Sequence, residues 1–253
     1  MNEPARKITL TFAEYLEQER TSDIKHEFVN GEIFDMAGGT IEHGRLAARV
    51  TKTLGVQLEG RPCDTFNADV RVRVLATGLA TYPDLSIVCG RLERDPADAN
   101  TITNPIVIVE VLSDITEKYD RGEKLAHYRR IPSLQEYVLV SQLDPRIEVF
   151  RRNEDGKSWT LHISEASESA KLASIGCELA VDRLYANPLE SAPWRRRDPR
   201  CVILRASAQL TCPPSPRPRR IDRCNPAATP GIRSRICTPR TPPASPRRRG
   251  ASP

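Results

Sequence analysis

The 253-residue chain is long enough for one large domain or two small ones with a proper core. It holds no apolar run of about 18 residues or more, and no apolar signal core follows Met1 to Lys7, so we expect no membrane span and a cytoplasmic protein. Residues 1–190 carry 23 Lys and Arg against 31 Asp and Glu, a net −8, while residues 191–253 carry 15 Arg, Asp198 and Asp222, a net +13. The formal +5 is thus an average of two unlike segments and does not indicate a basic DNA-binding surface on the folded part.

Thr11-Phe12-Ala13-Glu14 fits a capping box and opens a short helix to about Glu19, which is expected to cover one edge of the fold. Lys25 to Val29 and Glu32 to Met36 flank Asn30-Gly31, a dipeptide that accepts the positive φ angles of a tight hairpin turn. From Ile41 to about Leu58, Ile41, Leu46, Ala47, Val50, Leu54 and Leu58 recur at three- and four-residue spacing and predict a helix with one apolar face. Asp64 to Phe66 and Asp69 to Leu75 read as strands. In the second, Val70, Val72 and Val74 face a core, and Arg71 and Arg73 form a solvated basic face.

Asp84 to Cys89 and Ile106 to Leu112 are unbroken apolar runs rich in β-branched residues, as in central strands covered on both sides. A polar, mobile loop is expected between them. Glu117 to Arg130 reads as a helix stopped before Pro132. Glu136 to Ser141, Arg146 to Arg152 and Ser158 to Ile163 add three strands, giving a mixed sheet flanked by helices. Cys63, Cys89 and Cys177 lie far apart, and the four tail cysteines show no CxxC pairing, so neither a zinc site nor a disulfide framework is signalled.

We expect a folded domain over 1–190. Residues 191–253 hold 13 of the 21 prolines and no periodic apolar pattern, which predicts a disordered tail. Their all-arginine, proline-rich composition also fits a GC-rich stretch read out of frame.

Carboxylates at the ends of buried strands lose hydration and need a partner. Asp84 and Glu110 occupy such positions, with Lys124 close behind, which suits a divalent metal beside a phosphodiester. Asp120 and Lys124, four apart on a helix, also fit a surface ion pair worth about 0.2–0.5 kcal/mol. Tyr128 reads as core and Ser113 as a residue that ends a strand.

Six stretches carry a resemblance. They are His26 to Ile33, His43, Tyr82-Pro83-Asp84 to Val88, Val109-Glu110-Val111-Leu112-Ser113, Asp120 to Lys124 with Tyr128, and Glu136 to Val140. On these, residues 11 to about 188 resemble the Uma-two family, a restriction-endonuclease-like branch of the PD-(D/E)XK nuclease superfamily.

The resemblance implies an α/β fold with a core of helix, three strands, helix and strand. It also implies Mg²⁺- or Mn²⁺-dependent cleavage of DNA. Asp84 matches the superfamily aspartate and Glu110 its acidic residue. Both would be metal ligands, with the Val111 carbonyl as a further one. The superfamily lysine would stand two residues after Glu110, where this chain has Leu112, and Lys124 on the following helix resembles its migrated equivalent. Glu27 is an additional carboxylate and His43 a pocket residue contacting phosphate or water. Cutting both strands of a duplex would favour a homodimer. The alternative is an inactive nuclease-like module that binds nucleic acid or protein.

Overall fold

The computed structural model describes residues 9–36, 38–113 and 116–189. The chain divides into units of Met1–Pro193 and Trp194–Pro253, and every described residue belongs to the first. The expected disordered tail lies outside the described residues.

Thr11 caps helix α1 (Phe12–Thr21). Its hydroxyl accepts from the Glu14 N–H, and the Glu14 carboxylate accepts from the Thr11 N–H at 2.7 Å, closing the capping box. Tyr15 of α1 stacks on Phe28 of strand β1 (His26–Val29), which seats the helix on the hairpin. Asn30 (φ 51°) and Gly31 (φ 84°) turn the chain into β2 (Glu32–Asp35). Helix α2 (Ile41–Leu58) buries Leu46, Val50, Leu54 and Leu58 on one face. Ile41, assigned to that face from its spacing, is 85 % exposed, because the buried stripe starts only at Leu46.

Next come β3 (Cys63–Asn67), β4 (Arg71–Arg73), β5 (Ala80–Thr81), β6 (Leu85–Cys89), β7 (Arg94–Asp95), β8 (Asp98–Ile102) and β9 (Val107–Val111). The expected loop between β6 and β9 therefore contains two strands. Their polar residues hid them, yet β8 pairs in parallel with β4. Helix α3 (Glu117–Tyr119), a π-helical turn (Asp120–Lys124) and α4 (Leu125–Tyr128) replace the single α-helix expected there. Strands β10 (Glu136–Val140), β11 (Arg146–Arg152) and β12 (Trp159–Glu165) match the expected trio. Strands β13 (Ser169–Leu172) and β14 (Cys177–Ala180) and helix α5 (Val181–Tyr185) were not foreseen.

One six-stranded sheet runs β12-β11-β10-β9-β6-β3 and the other β2-β1-β5-β4-β8-β7. In the first, β9 and β10 are parallel and the remaining pairs antiparallel, so the sheet is mixed. Helix α2, the β13–β14 pair and α5 cover its face bearing Leu85, Ile87, Val107, Val109 and Val111. The opposite face, with Val88, Ile108 and Leu112, meets α4 and, from the second sheet, Val72, Val74 and Leu79. Strands β6 and β9 are covered on both sides, which is why neither shows polar alternation.

Two sequence readings are overturned here. Arg71 and Arg73 do not form a solvated face. Arg71 is 9 % exposed, with Nη1 2.6 Å from Asp98 and Nη2 2.7 Å from Tyr82 Oη, and Arg73 pairs with the buried Asp95 at 2.8 Å. Alternation shows that a strand face is polar but not that α1 and β7–β8 will cover it. Cys63 and Cys89 form a disulfide. They stand 26 residues apart, but the antiparallel register of β3 and β6 sets them directly opposite each other. Cys177 remains a free, buried thiol.

Candidate active site

The β6–β9 register pairs Leu85 with Val109, which sets Asp84 opposite Glu110 at the end of the strands. Asp84 Oδ2 accepts from the Val111 N–H at 2.7 Å, and Glu110 Oε2 lies 3.4 Å from the Asp84 N–H. The two carboxylates are thus cross-tied through the backbone. Val111 enters this geometry through its amide.

Glu110 is 5 % exposed and surrounded by apolar β9 neighbours, so its charge must be met from within. Its Oε1 accepts from Tyr128 Oη at 2.8 Å and from Lys124 Nζ at 3.0 Å. Lys124 also stands 3.3 Å from Asp120 Oδ1 and 4.0 Å from Glu27 Oε2. All four of these charged residues are buried, so the surface ion pair considered for Asp120 and Lys124 is not what forms.

Local structure explains the convergence. The π turn carries Asp120 and Lys124 inward together, and π turns often mark functional sites. Glu27 sits between Phe28 and His26 on β1, with Phe28 packed under α1, so Glu27 points to the opposite side of that strand. There Tyr119 Oη donates to its Oε1.

The electrostatics follow from burial. Burial raises the Glu110 carboxyl above the usual carboxylate range, and Lys124 opposes this. Burial would lower Lys124, but the Glu110, Asp120 and Glu27 carboxylates outweigh it and hold the ammonium protonated. We take the protonated ammonium as the fixed point of the pair, because three carboxylates face it. Burial raises the Tyr128 and Tyr119 hydroxyls, so both remain donors. His43 Nε2 lies 3.1 Å from Asp84 Oδ2, and that hydrogen bond raises the imidazole against the cost of burial.

The structure therefore brings Asp84, Glu110, Lys124, Glu27 and His43 into one region and places Leu112, at the superfamily lysine position, in the core. Sequence reasoning missed Tyr119 and the closing contacts of Thr40 and Gln142. Thr40 had a signal, since it immediately precedes the first residue of α2 and caps it. Gln142 had none.

Oxygen donors suit a hard divalent cation. Asp84 and Glu110 are such donors at adjacent strand ends, and the residues present fit Mg²⁺ or Mn²⁺. Among the described residues, no group of three or more His, Cys, Asp or Glu is arranged to hold a metal ion. That is compatible with Mg²⁺, which commonly uses one or two carboxylates and completes its shell with water and phosphate oxygens.

Helix α2, strands β3, β6 and β9, the α3–α4 segment and β10 follow the order helix, three strands, helix, strand, with paired acids at the β6–β9 end. This is a restriction-endonuclease-like fold. A crystal structure of "a putative nuclease belonging to DUF820" from Anabaena variabilis shares it, with a TM-score of 0.58, 17 % identity, and coverage of 70 % of this chain and 97 % of that one.

Residues 12–182 match the Uma2 family, described as "Putative restriction endonuclease", and the chain belongs to that family. Membership gives it a nuclease-like role. The uncharacterized protein slr1290 of Synechocystis sp. is 38 % identical over 172 residues, covering 68 % of this chain and 89 % of its own length. The uncharacterized protein sll1609 of the same organism is 34 % identical over 152 residues, covering 60 % and 85 %.

Proposed function

We propose that the protein is a Mg²⁺- or Mn²⁺-dependent endodeoxyribonuclease that hydrolyses phosphodiester bonds in DNA. The observation that carries this reading is the Lys124–Glu110 contact of 3.0 Å beside Asp84, which puts a buried ammonium where β9 itself supplies only Leu112. Asp84, Glu110 and the Val111 carbonyl hold the cation. Bound there, it polarises the phosphoryl group and lowers the pKa of the attacking water.

The chain's own groups do the rest. Lys124 offers a fixed positive charge to the negative charge that grows on phosphorus, without reorganisation at the moment of reaction. Tyr128 donates to Glu110 Oε1 and fixes the carboxylate, and Tyr119 does the same for Glu27. His43, with its side chain 21 % exposed, contacts the phosphate or a water from the solvent side. Two such sites related by a two-fold axis would cut both strands of a duplex.

No helix among the described residues is long and apolar enough to cross a membrane. We assign the enzyme to the cytoplasm, where a reducing pool would act on the Cys63–Cys89 bond.

A second reading, a nuclease-like interaction module without turnover, is favoured by one observation: Lys124 and Tyr128 already satisfy Glu110 Oε1 in the absence of any cation. Cleavage of supercoiled plasmid, single-stranded DNA and RNA, with Mg²⁺, Mn²⁺ or EDTA, decides between them. The nuclease reading expects metal-dependent cutting of DNA that falls at least about 10²-fold in Glu110→Gln. Equal cutting by wild type and variant would point to a contaminant and remove it.

A further inference from the structure

We propose that Gln142 and Gly39 are positioning residues that hold His43 on Asp84; this rests on the nuclease reading. The basis is a closed circuit of hydrogen bonds joining four separate stretches of chain. Gln142 Nε2 donates to the Leu112 carbonyl at 2.5 Å, just past the end of β9. Gln142 Oε1 accepts from Thr40 Oγ1 at 2.6 Å, and Thr40 Oγ1 accepts from the His43 N–H at 3.1 Å. The His43 ring returns through Nε2 to Asp84 Oδ2 at 3.1 Å, and that oxygen accepts from the Val111 N–H at 2.7 Å, one residue before Leu112.

Donor and acceptor chemistry allows this circuit to run in one sense only. A hydroxyl has one proton, and an amide or a ring nitrogen bearing hydrogen can only donate. Thr40 Oγ1 receives the His43 N–H, so its own proton goes to Gln142 Oε1. The Gln142 amide nitrogen is then left for Leu112, whose carbonyl can only accept. Asparagine would be too short for both contacts, and glutamate has no proton for Leu112.

Gly39 makes an independent case. A Cβ there would lie 2.7 Å from His43 Nδ1 and 2.9 Å from Cγ, closer than unbonded atoms sit, so the ring would have to move. Gly38 and Gly44 meet nothing within 4 Å, which singles out Gly39 among the glycines flanking His43. One residue therefore ties the start of α2 to the end of β9, and another leaves room for the imidazole that meets Asp84.

The test uses full-length protein labelled with ¹⁵N at histidine. The chain has four histidines, so the His43 ring signal is assigned by its loss in His43→Gln. Gln142→Ala and Gly39→Ala are each expected to displace that signal. Each should also lower kcat for DNA cleavage by about ten- to a hundredfold with KM unchanged. Thr40→Ser, which keeps the hydroxyl, should preserve both signal and kcat, whereas Thr40→Val should lose both.

An unmoved His43 signal with wild-type kcat in Gln142→Ala and Gly39→Ala would overturn the proposal and leave the nuclease reading intact. If the wild type cleaves nothing, the nuclease reading fails and the ring signal alone decides the positioning claim. If Gln142→Ala unfolds, Gly39→Ala, which removes no hydrogen bond, decides it.

Discussion

Each of the two sheets buries a cation, and the two are surrounded very differently. Arg71 on β4 meets Asp98, Thr101 and the Tyr82 hydroxyl, and Tyr82 passes its own proton to Glu19 at 2.7 Å. The planar guanidinium spends its donors on matched acceptors and lies over the rings of Tyr15 and Tyr82. Lys124 is a point charge among Glu110, Asp120 and Glu27, with Asp84 beyond. The first set is balanced and directional, and it anchors the N-terminal helix and hairpin to the second sheet. The second has more acid than it can neutralise, as expected of a place that awaits positive charge from outside.

The largest expected effect breaks both clusters. Arg71→Met and Lys124→Met each strand buried carboxylates, and each should cost about 3–5 kcal/mol in urea unfolding. They should part in activity: folded Arg71→Met still cleaves, and Lys124→Met does not. Equal loss of cleavage per folded molecule would make Arg71 part of the site and dissolve the contrast.

A smaller effect sharpens the contrast. Mn²⁺ at a hundred times its Kd should stabilise wild type by about 2.7 kcal/mol, read as a rise in Tm. Asp84→Asn should abolish the rise, while Asp98→Asn, in the Arg71 cluster, should keep it. No rise in wild type would favour the non-catalytic module.

The smallest effect concerns His43. Its bond to Asp84 raises the imidazole above the ordinary value of 6.5. The pair's contribution to stability is therefore complete below that value and is lost as pH rises through His43's higher folded value. Urea midpoints of wild type minus those of His43→Gln should decline over that window. A difference that stays flat with pH would show that the contact contributes nothing to folding.

Much of this was legible where a local pattern fixes a local outcome. The spacing of Leu46, Val50, Leu54 and Leu58 needs only one helix face, and Asn30-Gly31 needs only one turn. Glu110 stood out because a carboxylate inside Val107 to Leu112 has no other reason to be there. What stayed hidden depends on register or on cover. Cys63 meets Cys89 only once β3 and β6 have aligned, and Arg71 is buried only once α1 has docked. Tyr119 and Gln142 act through residues 92 and 102 positions away, and no spacing rule reaches so far.

The π turn at Asp120–Lys124 has a consequence for insertions and deletions. An α-helix turns about 100° per residue. Deleting one residue within the turn would let it close into an ordinary helix, and everything after it would swing by about that angle. Either Asp120 or the Lys124 and Tyr128 pair would then leave the cluster, with every functional side chain still encoded. At this position the number of residues between two charges matters as much as their identity, and a frame-preserving loss of Gly122 would be as damaging as a substitution of the lysine itself.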